Sequence, residues 1–130
     1  MAVYCQYCLA EGHQLASVQQ SFAGNGQASQ VVMVSVDVDP NENLAQLQSY
    51  VKQYSFGAPN SSPIWYFAKD NTGQLLQSIV GTVDFSSFIS QTNMYFVEKT
   101  QGTTFYAMQR TTLQDANPAS DIIAAAQKLF

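Results

Sequence analysis

Apolar residues recur along this chain at two different periods, and the switches between them predict a series of helices and strands. In "LAEGHQLASVQQSF" (9–22), Leu15, Val18 and Phe22 follow one another at spacings of three and four, with polar residues on the other faces, which predicts a helix. Gly24 and Gly26 in "AGNGQ" end it. "VVMVSVDV" (31–38) is an apolar run rich in β-branched residues, as in a strand buried on both faces. "DPNEN" supplies a turn and a helix start, and within 43–56 Leu44, Leu47, Tyr50, Val51 and Tyr54 share one helical stripe.

"GAPNSSP" is a loop ending at Pro63. "IWYFAKD" (64–70), the turn "NTG" (71–73) and "QLLQSIVG" (74–81) then predict a β-hairpin. A short helix follows over 83–91, with Val83, Phe85, Phe88 and Ile89 turned inward. Residues 94–110 suggest a second hairpin turning at Gln101-Gly102. A terminal helix starts with Asn117 as N-cap and Pro118 at the first helical position. The order of elements is α/β, and the chain divides into a core over 1–92 and an extension over 93–130.

At 130 residues, 46% of them hydrophobic and with eight Phe and seven Tyr, the chain is sized for one domain with a packed core. Charged residues are only 11%, against about 25% in ordinary globular chains, so Gln, Ser, Thr and Asn carry the polarity. Five basic residues and a net charge of -4 argue against a nucleic-acid surface, which needs clustered Lys and Arg. No stretch approaches the ~20 apolar residues of a membrane span. No basic segment precedes an apolar one in the manner of a secretion signal.

Chemistry concentrates at the start. "MAVYCQYCLAEGH" holds both cysteines and the single histidine. Cys5-Gln6-Tyr7-Cys8 runs straight into the first helix, so Cys5 falls at or just before its first turn. Unpaired N–H groups and the positive end of the helix dipole favour a thiolate there, and the thiolate is the attacking species in disulfide exchange. A spacing of three brings the second sulfur within bonding reach, one turn deeper. The competing readings are a structural disulfide and part of a metal site. Zinc needs four ligands and only His13 is left as a further soft one, while copper carriage would want another Met or His beside the thiols. His13 is turned away from Cys8 on a helix and reads as a surface residue. Asp37 and Asp39, in Asp-x-Asp-Pro after a strand, read as a turn with helix capping in place of a metal site. Trp65, Tyr66 and Phe67 read as core and sheet-surface aromatics.

The motif followed by β-α-ββ-α resembles the thioredoxin superfamily, and more narrowly its extracytoplasmic TlpA/ResA-type branch. The resemblance covers about residues 1–92. It rests on the CxxC with aromatic Tyr4 before it; on Glu11 and Leu15, which match the branch's CxxCxxExPxL; on "VVMVSVDVDPNENLAQLQSYVKQY"; and on "SSPIWYFAKDNTGQLLQSIVG", which matches the family's cis-proline (Pro63), strand, turn, strand and glycine (Gly81). Where the pattern has proline after the glutamate, this chain has Gly12-His13, a pair able to bend the helix in its place.

The resemblance implies a thioredoxin-like fold, a central mixed sheet flanked by helices, and a thiol–disulfide oxidoreductase, with reductase the favoured direction. The reverse, oxidase, is left open because Gln6-Tyr7 matches neither the Gly-Pro of thioredoxin nor the Pro-His of strong oxidases. Cys5 would be the nucleophile, Cys8 the resolving thiol and Glu11 a proton relay. Tyr4, Gln6, Tyr7, Ser62 and Pro63 would meet the substrate. No cofactor is implied beyond the Cys5–Cys8 disulfide itself. Partners would be a protein thiol or disulfide and an upstream redox protein, with no nucleic acid. Two alternatives stay open: a non-enzymatic module of an extracellular assembly, and a copper carrier. The branch implies an extracytoplasmic or secreted location, with a cytoplasmic one as the alternative.

"MAVYC" also matches the end of the family's central strand, which implies that Met1 was an internal residue and that a strand before it, with room for a membrane anchor, is missing. In that arrangement the lost strand lies between 31–38 and 64–69. Residues 94–97 or 104–108, or another chain pairing with the exposed edges, would fill the gap.

Overall fold

The computed structural model of the chain describes residues 1–56, 64–75, 77, 93–98, 105–110 and 118–129. Helix α1 (Gln6–Gly24) carries Cys8, Glu11, Val18 and Phe22 on its inner side and ends at the predicted glycine, with Gly26 in the left-handed region at φ 71°. It is not interrupted at Gly12-His13. A Cβ at Gly12 would stand 2.6 Å from the ring of Phe56, so this glycine makes room for an aromatic side chain and does not serve a bend. His13 is exposed, as expected, and meets Phe56 edge-on with ring centroids 5.3 Å apart.

Strand β1 (Val32–Asp37) leads to α2 (Leu44–Tyr54), which Asn43 caps through a reciprocal pair with Gln46. That pair satisfies two otherwise orphaned donors, and each helix start of this kind is worth about 1 kcal/mol. Strand β2 (Ile64–Lys69) lies parallel to β1, from Val32 opposite Ile64 to Asp37 opposite Lys69. The expected slot between these two segments is therefore closed by their direct pairing. The other edge of β1 is met by the first residue: the Met1 ammonium donates to Val36 O at 2.7 Å, and Val38 N–H donates to Met1 O at 3.0 Å. This is the bond pattern of a parallel pair. Alternate residues of β1 turn their backbone groups to alternate edges, so Asp37 O faces β2, where it accepts from Asp70 N–H at 2.8 Å. The central position that the resemblance gives to the strand before the cysteines thus belongs to β1.

That order decides which faces are covered. Leu9, Leu15 and Ala16 of α1 and Tyr50, Val51 and Tyr54 of α2 join one apolar cluster with Met33, Phe56, Trp65 and Phe67. Both helices cover the same side of the sheet. On the other side Val32, Val34 and Tyr66 are 64%, 57% and 55% exposed, so the strand is not buried on both faces. Leu44, predicted on the buried stripe of α2, is also exposed; Leu47 and Tyr50 are the buried pair. The aromatic triplet divides as expected, with Trp65 buried and Tyr66 on the open surface.

The strand predicted over 74–81 does not begin after the turn at 71–73; residues 76 and 78–81 lie outside the described residues. Thr72 Oγ1 accepts from Gln74 N–H, Gln77 N–H donates to Gly73 O at 2.9 Å, and residues 74, 75 and 77 are helical. Gly73, at φ 68°, turns the chain into a helix and not into a returning strand. Strands β3 (Asn93–Glu98) and β4 (Phe105–Arg110) pair antiparallel with one another and form a separate two-stranded sheet, so neither enters the first one. Helix α3 (Pro118–Gln127) begins at the predicted proline. Its Ala119, Ile122 and Ala126 pack on Val18 and Phe22 of α1. The chain is thus a mixed α/β protein with a two-stranded parallel sheet. Ser62, Pro63, Gly81, the helix over 83–91, the turn at 101–102 and Asn117 lie outside the described residues.

Candidate active site

The carboxyl ends of β1 and β2 and the start of α1 converge, and the cysteine motif sits there. Ligand sites of parallel α/β sheets collect at this end of the strands. Cys5 is the N-cap residue of α1, with extended backbone at φ -78° and ψ 110°. Its sulfur accepts from Cys8 N–H at 3.1 Å, which fills the cap's role of satisfying a first-turn donor. Both cysteines are free thiols and buried, Cys5 at 6% exposure over a fully enclosed Ala2.

The two thiols are electrically unequal. The Cys8 thiol donates to Cys5, and this bond is the main cause that lowers Cys5 from 9.0 to about 6; burial opposes it, while the Cys8 and Tyr7 N–H groups and the Met1 ammonium add to it. The same bond, followed by burial, pushes Cys8 well above the ordinary thiol range. At neutral pH the arrangement holds one thiolate with one thiol kept as its donor.

Acidic groups from beyond the motif hold the segment in front of it. Both Glu42 carboxylate oxygens accept from Val3 N–H at 2.9 Å, across 39 residues of sequence. Burial raises Glu42 above its ordinary value, the Val3 bond pulls it back, and the neighbouring Asp37 and Asp39 charges raise it again. Tyr4 donates its phenol to Asp39, which raises it to about 12. Asp37 and Asp39 are enclosed and answered from inside the fold. Lys69 Nζ reaches Asp37 Oδ2 at 3.3 Å and Asp39 O at 2.6 Å, while Asp39 N–H donates to Asp37 Oδ1. Asp39 Oδ1 in turn accepts from Asn41 N–H at 2.8 Å, so the turn reading of Asp-x-Asp-Pro agrees with the geometry. The helix cap itself is Asn43.

The predicted residues are placed as follows. Tyr4, Gln6 and Tyr7 form an exposed rim around the buried Cys5. Glu11 is buried on α1, three residues beyond Cys8 and on the same helical face. Sequence reasoning missed Glu42, which holds the segment before the motif, and Lys69, which bonds Asp37 and Asp39 at the end of β1; the only sequence signal was two carboxylates at the end of a strand. It also missed Tyr50, whose hydroxyl is shielded from solvent and has no hydrogen-bond partner among the described residues. Burial first, then the nearby Cys8 and Cys5 charges, raises its pKa.

Among the described residues no group of three or more His, Cys, Asp or Glu is arranged to hold a metal ion. No helix among them is long and apolar enough to cross a membrane. Comparison with known proteins gives no matching family model, no matching curated protein and no matching solved structure.

Proposed function

We propose that the chain is a thiol–disulfide oxidoreductase of thioredoxin-like type, working as a reductase. The reading is carried by one observation: Cys5 caps α1 with its sulfur, accepts from Cys8 N–H and titrates at about 6, so it is a thiolate at neutral pH beside a protonated second thiol. The thioredoxin likeness comes from the motif and from the helix, strand, helix and strand that follow it, with two departures: β1 in the central position and helical residues 74, 75 and 77 where a returning strand was expected.

In the forward direction the Cys5 thiolate attacks one sulfur of a protein disulfide. The substrate S–S bond breaks, a Cys5–substrate disulfide forms, and the departing thiolate takes a proton. Cys8 then gives up its proton and attacks Cys5, forming Cys5–Cys8 and releasing the second substrate thiol. The substrate gains two electrons and two protons. Glu11, on the face of Cys8, receives that thiol's proton. Tyr4, Gln6 and Tyr7 supply the docking rim. A nucleophile at about 6 stands closer to the ~7 of reducing thioredoxins than to the ~3.5 of strong disulfide oxidants, which supports the reducing direction.

Reduced protein mixed with insulin should precipitate its B chain, and Cys8→Ser should accumulate a mixed disulfide through Cys5. If Cys8→Ser captures nothing and the parent reduces nothing, the reading fails.

A further inference from the structure

The side of the parallel sheet away from α1 and α2 is apolar along its length. Val34 stands opposite Tyr66 and Val36 opposite Ala68, and Val32 shares their side. Val32, Val34, Tyr66 and Ala68 are exposed, and Val36 is half-buried. The Tyr66 phenol is the one polar group these five side chains carry, and none is charged. We propose that this face packs on the same face of a second copy of the chain, as a weak two-fold dimer. The proposal is independent of the exchange reading.

Four observations select that occupant. First, the run over 31–38 has the composition of a strand covered on both sides, yet among the described residues only one side is covered. Second, the described elements that follow β2 gather elsewhere. Helix α3 packs on Val18 and Phe22 of α1, and β3 packs on α3, so both lie with the helix that covers the opposite side. Third, charge argues against a lipid surface, where Lys and Arg flank the apolar residues. The chain has five basic residues in all and a net charge of -4, and Lys69 of β2 is drawn to Asp37 Oδ2 and Asp39 O. Fourth, the face complements itself. Two such faces meet without burying a charge, and sheets stack in this way about 10 Å apart. A charged partner surface would find nothing here to answer it.

Area sets the strength. The three residues that are more than half exposed offer roughly 300–400 Å², about half of the ~800 Å² per partner in a stable complex. Dissociation is therefore expected at about 100 µM.

Sedimentation equilibrium of the reduced full chain, run from about 10 to 800 µM, should show the mass rising from one chain toward two. Val34→Thr/Tyr66→Thr keeps strand-forming residues while removing apolar surface, and should weaken association at least ~tenfold. At about 10 µM the Tm of that variant should stay within about 4 °C of the parent's, because the face is bare in the single chain. The unaltered chain supplies a second arm by NMR. On dilution from about 500 to 20 µM the amides of Val32, Val34 and Tyr66 should shift, and those of Val18 and Phe22 should not. A single-chain mass throughout overturns the proposal, as does association that the double variant leaves intact or dilution shifts confined to other residues. A large fall in Tm of the dilute variant also overturns it, by showing that the same chain covers the face. Capture by phosphatidylcholine vesicles in place of self-association overturns it by assigning the face to lipid.

Discussion

At Cys5 and Cys8 the start of α1 is shaped by a directional hydrogen bond and charge, with Leu9 packing into the aromatic cluster; at Val18 and Phe22 the helix is held by apolar contact with α3, from the other end of the chain. The first half faces an exposed rim of Tyr4, Gln6 and Tyr7, and the segment leading into it is tied by Met1 to β1 and by Val3 to Glu42, just before α2. The contact of Val18 and Phe22 with Ala119, Ile122 and Ala126 is apolar. The contrast shows how one helix serves two purposes. Packing at its far end anchors it, so that the near end can keep a charged sulfur in a mostly buried place without carrying the stability of the fold.

The comparison breaks if damage at one half spreads to the other. Phe22→Ala, which empties a fully buried site against α3, should cost about 3–5 kcal/mol in denaturant unfolding. The pH midpoint of Cys5 alkylation should stay near about 6 in that variant; a midpoint moved toward 9.0 would show that the two ends are not separable. Cys8→Ala removes the main donor and should move the midpoint upward from about 6. The stability profile should change in step. A thiol lowered in the folded state contributes stability that is present above about 9 and is lost as pH falls to about 6, so Cys8→Ala should flatten the profile over that window.

Smaller effects are expected where the two halves meet. Gly12→Ala gains about 1 kcal/mol of helix propensity but drives a methyl into the Phe56 ring, a clash costing about 1–3 kcal/mol. A lowered Tm with unchanged Cys5 titration is the expected result. Glu42→Gln should have the smallest effect, visible in pH dependence. Glu42 titrates above 4.5 in the folded chain, so the native state keeps a proton that the unfolded state has already released, and stability declines as pH rises through the window just above 4.5. The Gln variant should lose that decline in thermal unfolding followed across pH 4 to 7 (about three units, spanning the carboxylate range). A decline of the same size in the variant would assign it to another group.

The individual elements were legible because each depends on residues close in sequence. Leu15, Val18 and Phe22 mark α1, the β-branched run marks β1, and Asn43 with Gln46 marks the start of α2. Partner choice was not legible. The run over 31–38 looks the same whether its neighbour is a preceding strand or β2, and only the parallel pairing with β2 places both helices on one side and leaves Val32 and Val34 bare. The turn at 71–73 was ambiguous for a related reason. Asp-x-Thr-Gly opens a hairpin or a helix with equal ease, and here the Thr72 hydroxyl captures the Gln74 N–H and starts helical bonding. At the site, the cysteines gave themselves away by spacing. Glu42 and Lys69 did not, because their roles depend on contacts between segments 39 and 32 residues apart.

The clasp between Glu42 and Val3 has a consequence for measurement. An amide hydrogen at the third residue of a chain ordinarily exchanges with solvent almost as fast as a free peptide's, yet this one is held by both oxygens of a buried carboxylate. Its deuterium uptake therefore acts as a clock for how often the segment before Cys5 lifts away from α2. The same amide timed in the thiol and disulfide states would show whether oxidation of the motif is felt at the start of the neighbouring helix.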